Sequence, residues 1–219
     1  MKHTGLLICL LASLTLSSCI NIKFNAAKGE VVERTATITK DITAIGITSG
    51  ISVTVDPTLP LDEIRIITHT DVQDLVKVEV EGTALSLSLH NHNMHINTLE
   101  VRIPAYNLSE VSVSAGSDIE WECCTSPTLT IAASSGADAE IKGYCQSLIA
   151  SASSGADLDL EELVAESVTV SASSGADATV HATNQITAVA SSGADITYVG
   201  NPTIKSITTS SGASIERGN

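Results

Sequence analysis

Between residues 129 and 216, apolar side chains fall on every second position on both sides of a recurring glycine. The seventh residue before each glycine is Leu129, Leu148, Val168, Ile186 and Lys205, the fifth is Ile131, Ala150, Val170, Ala188 and Ile207, and the third is Ala133, Ala152, Ala172, Ala190 and Thr209. The residue after it is always alanine, the third is Ala139, Leu158, Ala178, Ile196 and Ile215, and the fifth is Ile141, Leu160, Val180 and Tyr198. Thr, Ser, Asp and Glu fill most positions between. A period of two on both sides of one glycine predicts two short strands meeting at a corner, and it excludes an amphipathic helix.

The corner phrase is Ser134-Ser135-Gly136-Ala137-Asp138, repeated at 153–157, 173–177 and 191–195, and it decays to Ser210-Ser211-Gly212-Ala213-Ser214. Glycine-to-glycine spacings are 19, 20, 18 and 19, and a weaker copy, Ala115-Gly116-Ser117-Asp118, lies 20 residues earlier. A repeat of that length buries its apolar face only by stacking on its neighbours, which is the mark of a solenoid. The expected fold is all-β: a right-handed parallel β-helix with coils of about 20 residues, each made of two strands, a corner and a looser third side. Gly116, Gly136, Gly155, Gly175, Gly193 and Gly212 then form one corner column, with glycine supplying the positive φ and the serines hydrogen-bonding locally.

Upstream, the alternation continues less regularly over 42–47, 51–55, 64–68, 75–80, 84–89, 99–103 and 108–113. The run from Ile47 to Val55 has apolar residues three before its glycine and one, three and five after it, so it reads as a degenerate coil. One domain is expected over 31–219, irregular over 31–110 and regular over 111–216.

The first 18 residues have a basic start, an apolar run from Leu6 to Leu16 and two serines, the pattern of a secretory signal peptide. Leu16-Ser17-Ser18-Cys19 resembles a bacterial lipobox, so Cys19 is the expected lipidation site and 19–30 a tether, with outer-membrane placement favoured because Ile20 rather than aspartate follows the cysteine. The strand phrases Asp41-Ile42-Thr43-Ala44-Ile45 with Ser49-Gly50-Ile51, Val76-Lys77-Val78-Glu79-Val80 with Leu85-Ser86-Leu87, Leu99-Glu100-Val101-Arg102-Ile103-Pro104 and the Gly-Ala-Asp repeats come in an order similar to that of the head GIN domain of putative auto-transporter adhesins. That resemblance implies a β-helical, exported, often lipid-anchored bacterial protein, and it carries no catalytic residues.

Charge narrows the partners. The formal net charge is -14, which opposes nucleic acid and anionic headgroups and leaves the N-terminal lipid as the membrane contact. Only five aromatic residues exist, Phe24, Tyr106, Trp121, Tyr144 and Tyr198; a broad stacking face for sugars is hard to build from them, so the ligand is a protein or a hydrogen-bonded glycan.

Four groups of residues are candidates for chemistry. Asp138, Asp157, Asp177 and Asp195 share one repeat position, with Glu140, Asp159 and Glu216 two residues on, and form either a calcium stripe or a solvated face, the latter favoured because the period and glycine content differ from calcium-binding β-rolls. His90, His92 and His95 cluster without a carboxylate or cysteine to complete a metal site. Cys124 and Cys145 stand eight and nine residues after successive corner glycines and are the expected disulfide, with pairing through Cys123 or free thiols as alternatives. Trp121-Glu122 is the most singular surface pair, though a tryptophan there reads first as core cover.

No metal or cofactor is expected. The acids follow the repeat instead of breaking it, so catalysis is not expected either. The function expected is a lipid-anchored binding or adhesion module; a periplasm-facing envelope-maintenance lipoprotein with a protein partner is the alternative, and a polysaccharide-acting β-helix enzyme stands behind both. The last coil has no polar cap, and its free edge offers a stacking surface to a second copy.

Overall fold

The computed structural model describes residues 25–90 and 94–218. Ten strands fill the first half: β1 (Asn25–Ala26), β2 (Val31–Thr37), β3 (Ala44–Ile47), β4 (Ser52–Val55), β5 (Glu63–His69), β6 (Val76–Glu81), β7 (Ala84–Leu89), β8 (Met94–His95), β9 (Leu99–Ile103) and β10 (Glu110–Ser114). Seven follow: β11 (Asp118–Ser134), β12 (Asp138–Ser153), β13 (Asp157–Ser173), β14 (Asp177–Ser191), β15 (Asp195–Val199), β16 (Thr203–Thr209) and β17 (Ser214–Arg217).

The regular half is a parallel β-helix of about 5 turns. Each coil lies on the next in register, so that Asp118, Asp138, Asp157, Asp177 and Asp195 are successive partners, as are Leu129, Leu148, Val168 and Ile186. The looser third side is absent from the central coils. β11 to β14 are single strands of 15–17 residues that run from one corner to the next, bent where the ladder shifts register between Trp121 and Cys124, Glu140 and Gly143, and Leu160 and Val164. These bulges absorb the 18-to-20-residue variation in repeat length. At the last coil a bulge between Ile186 and Thr187 places Ile204 in the apolar column and leaves Lys205 out of it.

The corner takes two residues in the left-handed region, not one. Ser135, Ser154, Ser174, Ser192 and Ser211 have φ between 53 and 58, and the following glycines between 67 and 77. Two successive positive φ values define a type I′ turn, closed for example by Ala156 N–H donating to Ser153 O at 3.3 Å. Each glycine N–H then donates across to the next coil: Gly136 to Ser154 O, Gly155 to Ser174 O, Gly175 to Ser192 O and Gly193 to Ser211 O, at 3.1–3.2 Å. Stacking therefore satisfies a turn N–H that an isolated hairpin would leave to water. Inside the corner, Ala137, Ala156, Ala176 and Ala194 face Ala133, Ala152, Ala172 and Ala190, all almost fully buried. Small side chains at both positions let the walls close; Leu, Ile and Val fill the wider middle.

Apart from β1 and β8, which pair only with each other, the first half belongs to the same sheet but not in sequence order. The Ser49-Gly50 corner joins β3 to β4 with φ of 76 and 71, as in the repeats. β3 pairs with β10 and β4 with β11, and the buried Ser117 hydroxyl accepts from Ile51 N–H at 3.1 Å. On the other side of this coil lie β7 and β9, which come later in the chain. Antiparallel strands then finish the layer, β6 on β7 and β5 on β9, with β2 outermost on β5. β2 precedes the first alternating run expected from the sequence, which begins at Ile42.

Candidate functional site

The long strands present their polar residues as straight columns. Asp138, Asp157, Asp177 and Asp195 stand one ladder step apart and exposed, ~4.8 Å between strands. Asp118 extends the column and accepts from Ser52 Oγ at 2.6 Å, so the carboxylates continue on to the first-half coil. Asp157, in the middle, has its pKa raised, by burial first and then by Asp177, Asp138 and Asp159. Two residues on runs a second column, Glu120, Glu140 and Asp159, ending after Thr179 and Thr197 at Glu216. Among the described residues no group of three or more His, Cys, Asp or Glu side chains has the geometry to hold a metal ion.

One cation relieves the acid field. Lys142 Nζ lies 2.9 Å from Glu140, 3.5 Å from Glu122 and 3.8 Å from Glu162, on three successive coils, and these carboxylates raise its pKa. Sequence reasoning missed it, although it is the sole Lys or Arg between Val111 and Ile204. Beside it the exposed Tyr144 hydroxyl donates to Glu166.

Cys124 and Cys145 are buried free thiols, not the bridge that spacing suggested. The bulge after Trp121 sets Cys124 opposite Gly143 and Ser126 opposite Cys145. A two-residue offset across neighbouring strands separates the Cα atoms by roughly 8 Å on a flat ladder, beyond the about 7 Å a disulfide tolerates. Burial pushes the Cys124 thiol up to about 12, with Cys145 adding to it, and the Cys145 thiol up to about 11. Both are protonated at neutral pH and poor nucleophiles.

Trp121 is buried at 4% exposure and serves as core, while Glu122 is exposed. His90 is exposed at the end of β7; His92 and the side chain of His95 lie outside the described residues, as does Cys19 with the whole leader.

A different concavity is the more enclosed by basic groups. A groove of about 520 Å³ lies between β2 and β6, lined by Arg34, Lys40, Lys77 and Asp74 over an apolar floor of Ala36, Val76, Val78 and Val80. Arg34 Nη2 donates to Val76 O at 3.3 Å and Lys40 Nζ to Val80 O at 3.5 Å. The repeats did not point to it, because β2 lies outside them and before the first alternating run, which begins at Ile42. A second groove, about 660 Å³, follows the bend side past Glu161, Glu162, His181 and Gly200.

Such a molecule, a β-solenoid carrying its polar groups in columns and ending in an antiparallel layer, belongs to the class of repeat-built scaffolds that offer extended surfaces. The chain belongs to the family described as putative auto-transporter adhesin, head GIN domain, whose sequence profile matches residues 41–202. Among solved structures it is similar to a putative adhesin from Bacteroides fragilis, with 17% identity, a TM-score of 0.71, and 88% of this chain covering 99% of that one. It is also similar to two proteins of Parabacteroides distasonis, a putative adhesin (14% identity, TM-score 0.51) and a putative lipid binding protein (12%, 0.52), each over 89% of this chain and 99% of the other. At those identities the likeness establishes the fold. No curated protein matches the chain.

Proposed function

We propose that this chain is an exported, lipid-anchored binding or adhesion module of a bacterial cell envelope, with no reaction of its own. The observation that carries the reading is the layout of the polar groups: the carboxylates at the corner stand in parallel columns, one per coil, instead of converging on one cleft. A catalytic centre needs unique groups at distinct pKa values, whereas equal groups repeated at one spacing suit recognition of an extended partner. The adhesin description of the family agrees with this. The lipobox-like Leu16-Ser17-Ser18-Cys19 supplies the anchor and the outer membrane the address.

Two measurements on cells test it. Radiolabelled palmitate should enter the wild-type chain and not Cys19→Ala. Protease added to intact cells should digest the solenoid without permeabilisation. Protection until the outer membrane is opened would turn the protein towards the periplasm and an envelope-maintenance role with a protein partner.

A further inference from the structure

The sheet path that begins at β6 runs through β7, β3, β10, β11, β4, β9 and β5 to β2. It therefore leaves the layer and returns to face its own start. β2 and β6 are its two free edges, and both line the same groove. Among the described residues no strand pairing joins them; two long side chains reach across instead, Arg34 to Val76 O and Lys40 to Val80 O. These carbonyls sit on alternate residues of β6, so its backbone at Val76, Val78 and Val80 is turned away from β7 and into the seam. Arg34 also leaves its buried Nε without a hydrogen-bond partner. An exposed strand edge is a template for another strand, and most proteins cover theirs.

Charge says what kind of strand fits. The chain has 25 acids and 11 Lys or Arg, yet the seam gathers three cations, Arg34, Lys40 and Lys77, against one acid, Asp74. Elsewhere Arg65, Arg102 and Lys142 are consumed by carboxylates of the chain itself; among the described residues none of the three seam cations makes an ion pair. We infer that the seam between β2 and β6 is a docking site for an acidic, extended polypeptide segment of a partner protein, which adds as a strand to the open edges and sets its carboxylates against Arg34, Lys40 and Lys77. This is β-augmentation: main-chain hydrogen bonds supply affinity, and alternate side chains supply specificity. A guest of about six residues, ~20 Å long, matches the length of β6. Its apolar side chains would rest on Val76, Val78 and Val80, and the long contacts from Arg34 and Lys40 would exchange carbonyl for carboxylate, a stronger acceptor. The inference rests on the binding-module reading above and gives it a site and a partner class.

The test uses a synthetic eight-residue peptide of alternating valine and glutamate, fluorescently labelled and titrated into the full mature chain. Anisotropy should report saturable binding, with hydrogen exchange slowed in 31–37 and 76–81. The double variant Lys40→Glu/Lys77→Glu, at two exposed positions outside the hydrophobic core, should weaken binding at least tenfold. The same peptide N-methylated at alternate amides, which keeps its charge and removes its ladder, should lose binding, and a valine–lysine peptide should show none. No binding, or binding indifferent to N-methylation or to the charge reversal, overturns the proposal. Displacement of the peptide by laurate with direct laurate binding at the seam would also overturn it, in favour of a lipid chain. A chain digested on intact cells that ignores the peptide sinks the seam alone; peptide binding by a chain never found in the envelope sinks the module reading alone.

Discussion

Each coil turns twice, and the two turns differ in kind. At the Ser-Ser-Gly corner every coil does the same thing: two left-handed residues, a cross-coil hydrogen bond and open space outside. A Cβ added to Gly136, Gly155, Gly175 or Gly193 would meet nothing within 4 Å. At the opposite bend each coil improvises with its own bulge, and the glycines there are jammed against the neighbouring chain. A Cβ on Gly143 would stand 2.1 Å from Cys124 O, and one on Gly200 2.2 Å from Ala182 O. The corner needs glycine for conformation alone, the bend for conformation and space together. Repetition follows from that difference, since a conformational rule can be met identically in every coil while close packing must be solved case by case.

The largest break in this comparison is Gly143→Ala. Gly143 has φ +131 and backbone of Cys124 in its way, so urea unfolding should show a loss of more than about 3 kcal/mol, or no soluble protein. Gly155→Ala at the corner keeps its space and loses only the left-handed preference, about 1–2 kcal/mol. If the two variants unfold at the same urea concentration, the distinction between the turns is wrong.

Smaller effects sharpen the picture through charge. Lys142→Met removes the cation shared by Glu122, Glu140 and Glu162; solvent screens the cluster, so a small loss of stability is expected, shrinking at high salt. Asp157→Asn should do the reverse. Because the folded state raises the Asp157 pKa, it holds the proton more tightly than the unfolded chain, and the ionised group costs stability above the ordinary carboxylate range. The variant should gain a few tenths of a kcal/mol at pH 7, and the gain should vanish as pH falls through that range. Thermal melts across pH 3–7 check both sign and window.

The same contrast explains what the sequence could reveal. The corner phrase, the alternation around it and the inward alanines were readable because each is a local rule repeated in register. Even the degenerate corner at Gly50 was recognisable by its spacing. The order of coils was not: that β7 and β9 lie outside β3 and β4, while β10 and β11 lie inside, depends on which partner each strand meets, and short alternating strands look alike. The expected third side failed for a similar reason, since a bulge is one or two extra residues without a signature of its own. The Cys124 offset arises from such a bulge. Of the candidate site, the aspartate column was legible from its period, whereas Lys142 matters through three partners about 20 residues apart and the β2–β6 seam through two strands about 40 residues apart.

The stacking of the corners holds the solenoid together, and residue-resolved amide hydrogen exchange measures it most directly. The N–H groups of Gly136, Gly155, Gly175 and Gly193 sit on exposed turns yet donate to a serine carbonyl of the next coil. They should exchange orders of magnitude more slowly than the N–H of Gly212, which belongs to the last corner and has no further coil to donate to among the described residues. Exchange at all five glycines as fast as at an open loop would contradict the solenoid.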